Sequence, residues 1–537
     1  MAGAIAMPLP KTSASPGTQV AVASEKRMGL ALVRGRRWVL ALRRFTWPRA
    51  QRSGAQRTLA LLTMTGVIPG LIAATAVPAH AEEPVTSSEP RLMSETAEVT
   101  SVVDAFDRDD PFDLHLTLGF QQMWKRSDIR RETNLFQPGL STGGFVASTE
   151  NVASYSQSVS LLNFGADVGI HKDLAISFRL PLILADSREL GDLNGSSRNP
   201  QRLTDGRGDQ LLTVPFKSPT RSGVDWFSVG LKYAILNQQR DETKPTWVVG
   251  VDGRFGIGPR LHACNENAPA GTAKCPDPVS GANRDPGISR AMNGINVMTV
   301  FSRRFGYLEP YTGFNFLAEF PQGNSDFGQT NDVKGSLLNA PPLVGGFTLG
   351  TEVIPWEQRE QFQRLVIDFR GRAEYHSPGR EYSELFDALG SSSARSLRTP
   401  NPGGYTLGPD GVNSVVDSTK QTVPFTGITD QDGFSTFGGL ASITWQAGEY
   451  VKFTAGGGLT YVQQHFITAS QFCNPSFVSD PGAAGPCHGV VNGGTGPQPI
   501  TGIPNPNQRA VIDTPGHRFT ADNTTIVDLF IQGVVMF

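Results

Sequence analysis

The sequence of 537 residues has almost no net charge, with 47 Lys and Arg against 49 Asp and Glu for a formal value of -2. That balance excludes the basic footprint by which nucleic-acid binders hold phosphate. Apolar residues make up only 39% of the chain, while glycine (59) and proline (38) are plentiful. Packed helices are a poor match for such a composition, and short strands joined by long polar loops are a good one. There are only four cysteines. Beyond residue 81 no long apolar run occurs, so no membrane helix is expected there. The mean hydropathy of -0.21 resembles that of a soluble protein. It does not exclude a membrane strand, which needs only about ten residues and turns only alternate ones to lipid.

The one long apolar run is Thr58 to Ala81, "TLALLTMTGVIPGLIAATAVPAHA", preceded by Arg34, Arg36, Arg37, Arg43, Arg44, Arg49 and Arg52. A basic region, an apolar core and a small-x-small exit predict a secretory signal peptide cleaved after Ala81. Gly66, Pro69 and Gly70 interrupt the run and weigh against a retained anchor. The arginine pairs are a weak twin-arginine export signal, discounted because "LRRFTW" fits that motif poorly. The unusually long basic stretch points to a start at Met28 or later. Residues 82–111 are acidic and short of aromatics, and predict a disordered periplasmic leader. "DRDDPFD" within them lacks the mid-loop glycine and the terminal glutamate of an EF-hand and reads as a solvated turn.

From Asp113 onward the apolar period is two. In "DLHLTLGFQQMW", Leu114, Leu116, Leu118, Phe120 and Trp124 share a face opposite Asp113, His115, Thr117 and Gln121. Leu162, Phe164, Ala166, Val168 and Ile170 then pair through His171-Lys172-Asp173 with Leu174, Ile176, Phe178, Leu180 and Leu182. The same unit recurs to the last residue: two alternating segments around a short turn, then a long polar loop. Residues 112–537 therefore predict an all-β fold, an antiparallel transmembrane barrel of about twelve strands, with ten to fourteen allowed. Connections that sort strictly into short and long are unlike a sandwich or propeller. Trp124, Trp226, Trp247, Trp356, Trp445 and Tyr461 are placed as interfacial girdles.

On these features, the signal peptide, the paired strands and the closing "TTIVDLFIQGVVMF", the chain resembles the Gram-negative outer-membrane β-barrel class. The resemblance covers about residues 112 to 537. It implies short periplasmic turns, long extracellular loops and both termini on the periplasmic side. It also implies that Leu529, Ile531, Val535 and the terminal Phe537 form an insertion signal for the barrel assembly machinery. Val535 stands where the class often has a second aromatic, and Phe530 and Met536 fall on the inward row.

The inward rows carry both signs of charge. Arg179, Lys232, Arg254, Arg304, Glu309, Glu319, Asp368, Arg370, Arg372 and Glu374 are the candidate lumen-lining residues. Near-balance argues against strong ion selectivity. "DFRGRAEYH" places Asp368, Arg370, Arg372, Glu374 and His376 on alternate positions of one strand, either a constriction or, as we favour, an ion-pair network in the wall. Cys264 with Cys275 and Cys473 with Cys487 fall in two loops and are expected to pair locally after export. Their spacings match no zinc pattern, and no metal site or cofactor is expected. No histidine is singled out as a catalytic base, and the glycines of "GRFGIGP" precede no helix and form no phosphate loop. The expected partners are outer-membrane lipid, the assembly machinery and small solutes, not nucleic acid. A passive channel or transporter for small solutes is the leading expectation, followed by a display barrel with disulfide-stiffened loops and then by a lipid or peptide hydrolase. A twelve-strand barrel allows a narrow pore, a plug or an infolded loop.

Overall fold

A computed structural model describes residues 97–105, 113–136, 145–198, 203–323, 326–327, 338, 340–407, 414–474, 488–490, 497–499 and 503–537. The predicted signal peptide lies outside them. Twelve antiparallel strands form one closed sheet: β1 (Leu114–Phe136), β2 (Phe145–His171), β3 (Leu174–Gly191), β4 (Trp226–Leu236), β5 (Thr246–Gly256), β6 (Met292–Ser302), β7 (Leu308–Pro321), β8 (Val344–Gln358), β9 (Gln363–His376), β10 (Phe434–Gly448), β11 (Val451–Val462) and β12 (Phe519–Met536). Each strand pairs with its sequence neighbours, and β12 returns to β1 with Leu116 opposite Val535 and Phe120 opposite Ile531. The Leu114 N–H donates to the Phe537 carbonyl at 3.1 Å, and the Phe537 N–H donates to the Leu114 carbonyl at 2.9 Å. Closure leaves no edge strand, the condition for placing backbone N–H and C=O groups in hydrocarbon. Among the described residues no helix is long and apolar enough to cross a membrane.

The outer face is the apolar row read from the sequence. Leu118, Leu231, Val251, Ile295, Phe314, Leu349, Phe369, Ile443, Leu459, Leu529 and Ile531 all point out of the barrel, exposed. In water such a continuous band would be an aggregation surface, and facing lipid it is matched. Trp226 departs from the expected girdle. It lies on the inward row, with the Arg254 guanidinium 5.0 Å from its ring centroid. Its parity explains this: Phe227, Val229 and Leu231 take the outward positions of β4, so its immediate neighbour along the strand must point in.

The connections alternate between short turns and long loops, as expected, except between β1 and β2, which extend so far that only residues 137–144 separate them, fewer than the 237–245 of the β4–β5 turn. The loops, however, are not featureless. Strands β1, β2 and β3 run 23, 27 and 18 residues, well beyond the roughly 9–11 that cross a bilayer. Their far ends carry Ile129, Val152, Tyr155 and Leu190. These pack with loop residues Leu203, Leu211, Leu385, Leu389, Leu397, Phe425, Ile467 and Ile512 into one buried apolar cluster. Two short helices, Phe386–Gly390 and Ala510–Asp513, supply part of it. The long loops thus have a core of their own and form a cap at one end of the barrel. The sequence hides this core because its apolar residues are scattered over three separate loops without a period.

The second correction concerns the leader. Residues 97–105, expected to be disordered, lie against the inner wall at the short-turn end. Ala97, Thr100, Val103 and Ala105 are buried, and Ala105 exchanges both backbone hydrogen bonds with Lys172 in the β2–β3 turn. Gly169 makes room for the segment, since a Cβ there would lie 1.8 Å from the Asp104 carbonyl oxygen. The barrel provides polar partners and an excluded volume that the isolated acidic segment lacks, and these offset its ordering entropy.

Candidate functional site in the barrel lumen

Inward-facing polar residues of neighbouring strands meet because cross-strand partners share a face. On β7, β8 and β9, Glu309, Glu352 and Asp368 are direct register partners and all three are buried. Three carboxylates side by side are tolerated only with donors around them. Glu309 accepts from the Ala97 N–H at 2.9 Å and from the Ser302 hydroxyl at 2.8 Å. Glu352 accepts from the Glu98 N–H at 2.9 Å. Asp368 accepts from the Tyr311 hydroxyl at 2.6 Å and from Arg370 at 2.9 Å, and Arg370 also donates to the Tyr311 oxygen. Two of the three carboxylates are therefore completed by the backbone of the N-terminal segment.

The Glu98 side chain reaches the other way, to Lys452 on β11, at 2.8 and 3.0 Å. Burial by itself raises its carboxyl pKa, but the Lys452 ammonium outweighs this and the net shift is downward. On the same side of the segment a polar cavity of about 160 Å³ is lined by Glu98, Ser101, His115, Asp167, Arg179, Lys232, Lys452 and Gln532, among others. Arg179 grips Asp167 with a bidentate contact at 2.7 and 2.8 Å. A second recess, open, shallow and of about 620 Å³, lies where Gly371, Gly439 and Gly457 thin the wall between Phe369, Leu459 and Leu529. It belongs to the apolar outer face and not to the lumen.

The other candidate lumen residues are placed as follows. Arg372 and Glu374 form an ion pair on β9, and with Asp368–Arg370 they make the wall network expected for that strand. Glu319 sits near the capped end, where Arg290 bridges it at 2.7 Å to Glu381 at 2.9 Å. Arg254 stacks on Trp226. Arg304 is not in the lumen. It lies in the short turn between β6 and β7, bonded to Glu357 at 2.7 Å and to the Gly306 carbonyl, because β6 ends two residues before it. Glu98 and Thr100 were not foreseen, since their signal exists only against the barrel. Tyr311 could have been found: it stands on the polar row of β7, opposite to Phe314 and Phe316.

In the cap, Arg221 and Asp387 form a buried pair, with Arg221 Nη2 to Asp387 Oδ1 at 2.6 Å and Nη1 to Oδ2 at 3.0 Å. The Ser218 hydroxyl and the Cys264 N–H complete the carboxylate. Cys264 is disulfide-bonded to Cys275, as expected. Of the second expected pair, Cys487 lies outside the described residues. Asp513, fully buried near Asp430, has its carboxyl pKa pushed up to about 8 by burial.

A closed twelve-strand antiparallel barrel, apolar outside and charged within, is an outer-membrane β-barrel. No protein-family model matches the sequence, and no curated relative matches it. Among solved structures the fold is similar to an outer membrane channel from Pseudomonas putida F1, at 9% identity and a TM-score of 0.30, covering 79% of this chain and 95% of that one. A Pseudomonas aeruginosa FadL homologue matches at 8% identity and a TM-score of 0.29, covering 79% and 90%. The outer membrane protease OmpT from Escherichia coli matches at 8% identity and a TM-score of 0.23, covering 79% and 96%. Likeness at this level carries no argument about activity, and transport and proteolysis both stand among the neighbours.

Proposed function

We propose that the protein is a passive channel or transporter for small solutes, with the long-loop cap outside the cell and both termini in the periplasm. In this reading the signal peptide is cleaved after Ala81, and Leu529, Ile531, Val535 and Phe537 guide insertion by the barrel assembly machinery. The observation that carries the reading is the polar cavity in the lumen, walled on one side by residues 98–103 of the N-terminal segment. That segment is held mainly by hydrogen bonds and two ion pairs, Glu98 with Lys452 and Asp104 with Arg240, contacts for which water can substitute. Lumen charges that pair among themselves favour a pore without strong ion selectivity.

The apolar core of the cap favours a second reading, a barrel that displays its loops as a binding surface. Planar-bilayer recording of the refolded mature chain separates the two. Stepwise openings, larger in a variant lacking residues 82–105, support the channel. A silent bilayer, together with no solute efflux from liposomes for either form, rules it out.

A further inference from the structure

We propose that the cavity at Lys232 is a binding site for a small monoanion, of the size and charge of a short-chain carboxylate. This deepens the solute-passing reading and rests on it.

The inward row of β4 brings Lys232 beside Ala175 of β3, its register partner. Ala175 is buried and small, so the wall next to the lysine stem is low and the ammonium reaches the cavity. The other charges around the cavity are already matched. Arg179 holds Asp167 through both carboxylate oxygens, and Lys452 holds Glu98. Lys232 is different. It feels Asp167, Asp252 and Glu98 only through space, with Arg179 opposing them, and it has no hydrogen bond or ion pair among the described residues.

A cation left without a direct partner in a confined site is costly, and an anion at contact distance removes that cost. Among the charged residues that line the cavity the two matched pairs cancel and Lys232 is left over, while Asp252, which also acts on it, stands outside the lining and accepts from Ser177 and Asn296. The lining itself is therefore suited to a single negative charge. His115, Ser101, Thr117 and Gln532 line the same space and provide the hydroxyl, amide and imidazole groups that a second carboxylate oxygen requires. A volume of about 160 Å³ accommodates several water molecules, hence a solute of a few heavy atoms.

The test is saturation-transfer NMR of acetate with the refolded mature chain in detergent at low ionic strength, with tetramethylammonium as the cationic control. Wild type should give a saturable acetate signal and none from tetramethylammonium. Lys232→Gln should weaken acetate by about tenfold or more, and Lys232→Arg should retain it. Glu98→Gln, which alters no strand of the barrel and removes a competing carboxylate, should tighten acetate binding. The proposal is overturned by an absent acetate signal in wild type, an equal response to the cation, unchanged binding in Lys232→Gln, or no tightening in Glu98→Gln. Should acetate bind while the bilayer stays silent, the channel reading fails and the site stands. Should the bilayer conduct while acetate does not bind, only the site fails.

Discussion

Replacing Asp387 by Ala isolates the stability of the loop cap from that of the barrel. Asp387 lies on the Phe386–Gly390 helix and is the common acceptor for the Arg221 guanidinium, the Ser218 hydroxyl and the Cys264 N–H. Arg221 is only 2% exposed and Asp387 4%, so removing the carboxylate strands a buried cation, at a cost of about 3–5 kcal/mol. At about 1.4 kcal/mol per decade, the open fraction of the cap should rise by roughly two to three and a half orders of magnitude. Arg221 and Ser218 meet the barrel through backbone pairing with Asp186 and Arg188 at the far end of β3, contacts that the substitution leaves in place, and the closed hydrogen-bond ladder should persist as an unchanged heat-modifiable gel band. Hydrogen exchange and limited proteolysis should both accelerate over residues 203–218, 261–264 and 386–397. Replacing both partners by apolar residues, Arg221→Met with Asp387→Leu, should recover most of the loss, because no charge is then left buried. Unchanged protection of those segments in Asp387→Ala would refute the argument that this pair holds the cap.

Three other outcomes follow from the geometry. Ile531→Arg, on the outward row and 57% exposed, should cost about 2–4 kcal/mol if it faces the bilayer midplane, read as a lower urea midpoint for the folded band in lipid vesicles, while Gln532→Arg on the inward row should be tolerated. Gly169→Val should displace the N-terminal segment, since even a Cβ meets the Asp104 carbonyl at 1.8 Å; faster amide exchange over residues 97–105 with an intact barrel is the expected result, and unchanged exchange counts against the close approach. Because the Asp513 pKa is raised from 3.8 to about 8, the capped state favours the protonated carboxyl. Its contribution is fully present below about pH 4 and is lost as pH rises towards 8. The ratio of exchange rates between wild type and Asp513→Asn around residues 510–513 should climb through that window, and a flat ratio would contradict the shift.

The twelve strands were legible because a membrane barrel imposes one rule on every segment. Lipid on one side and a polar lumen on the other force a period of two, and Leu116, Leu118, Phe120 or Leu529, Ile531, Val535 display it without reference to any neighbour. The same parity located Asp368, Arg370, Arg372 and Glu374 in the wall. It did not serve Arg304, which lies just past a strand end, where single-sequence boundaries err by a few residues. Nor did it serve Trp226, whose indole suits an interface but whose place in the alternation puts it on the inward row beside Arg254.

Taken alone, the amino-acid order determined the class of fold, the lipid-facing rows, the alternation of turns and loops, and the local pairing of Cys264 with Cys275. Those features depend on residues close together in the chain. The capped loops, the N-terminal segment inside the barrel and the cavity at Lys232 were decided only by tertiary structure. Glu98 meets Lys452 and Arg221 meets Asp387 across 354 and 166 residues. Contacts at that range leave no periodic trace in the sequence, because they arise only when closure of the sheet brings distant strands to one lumen and distant loops to one end.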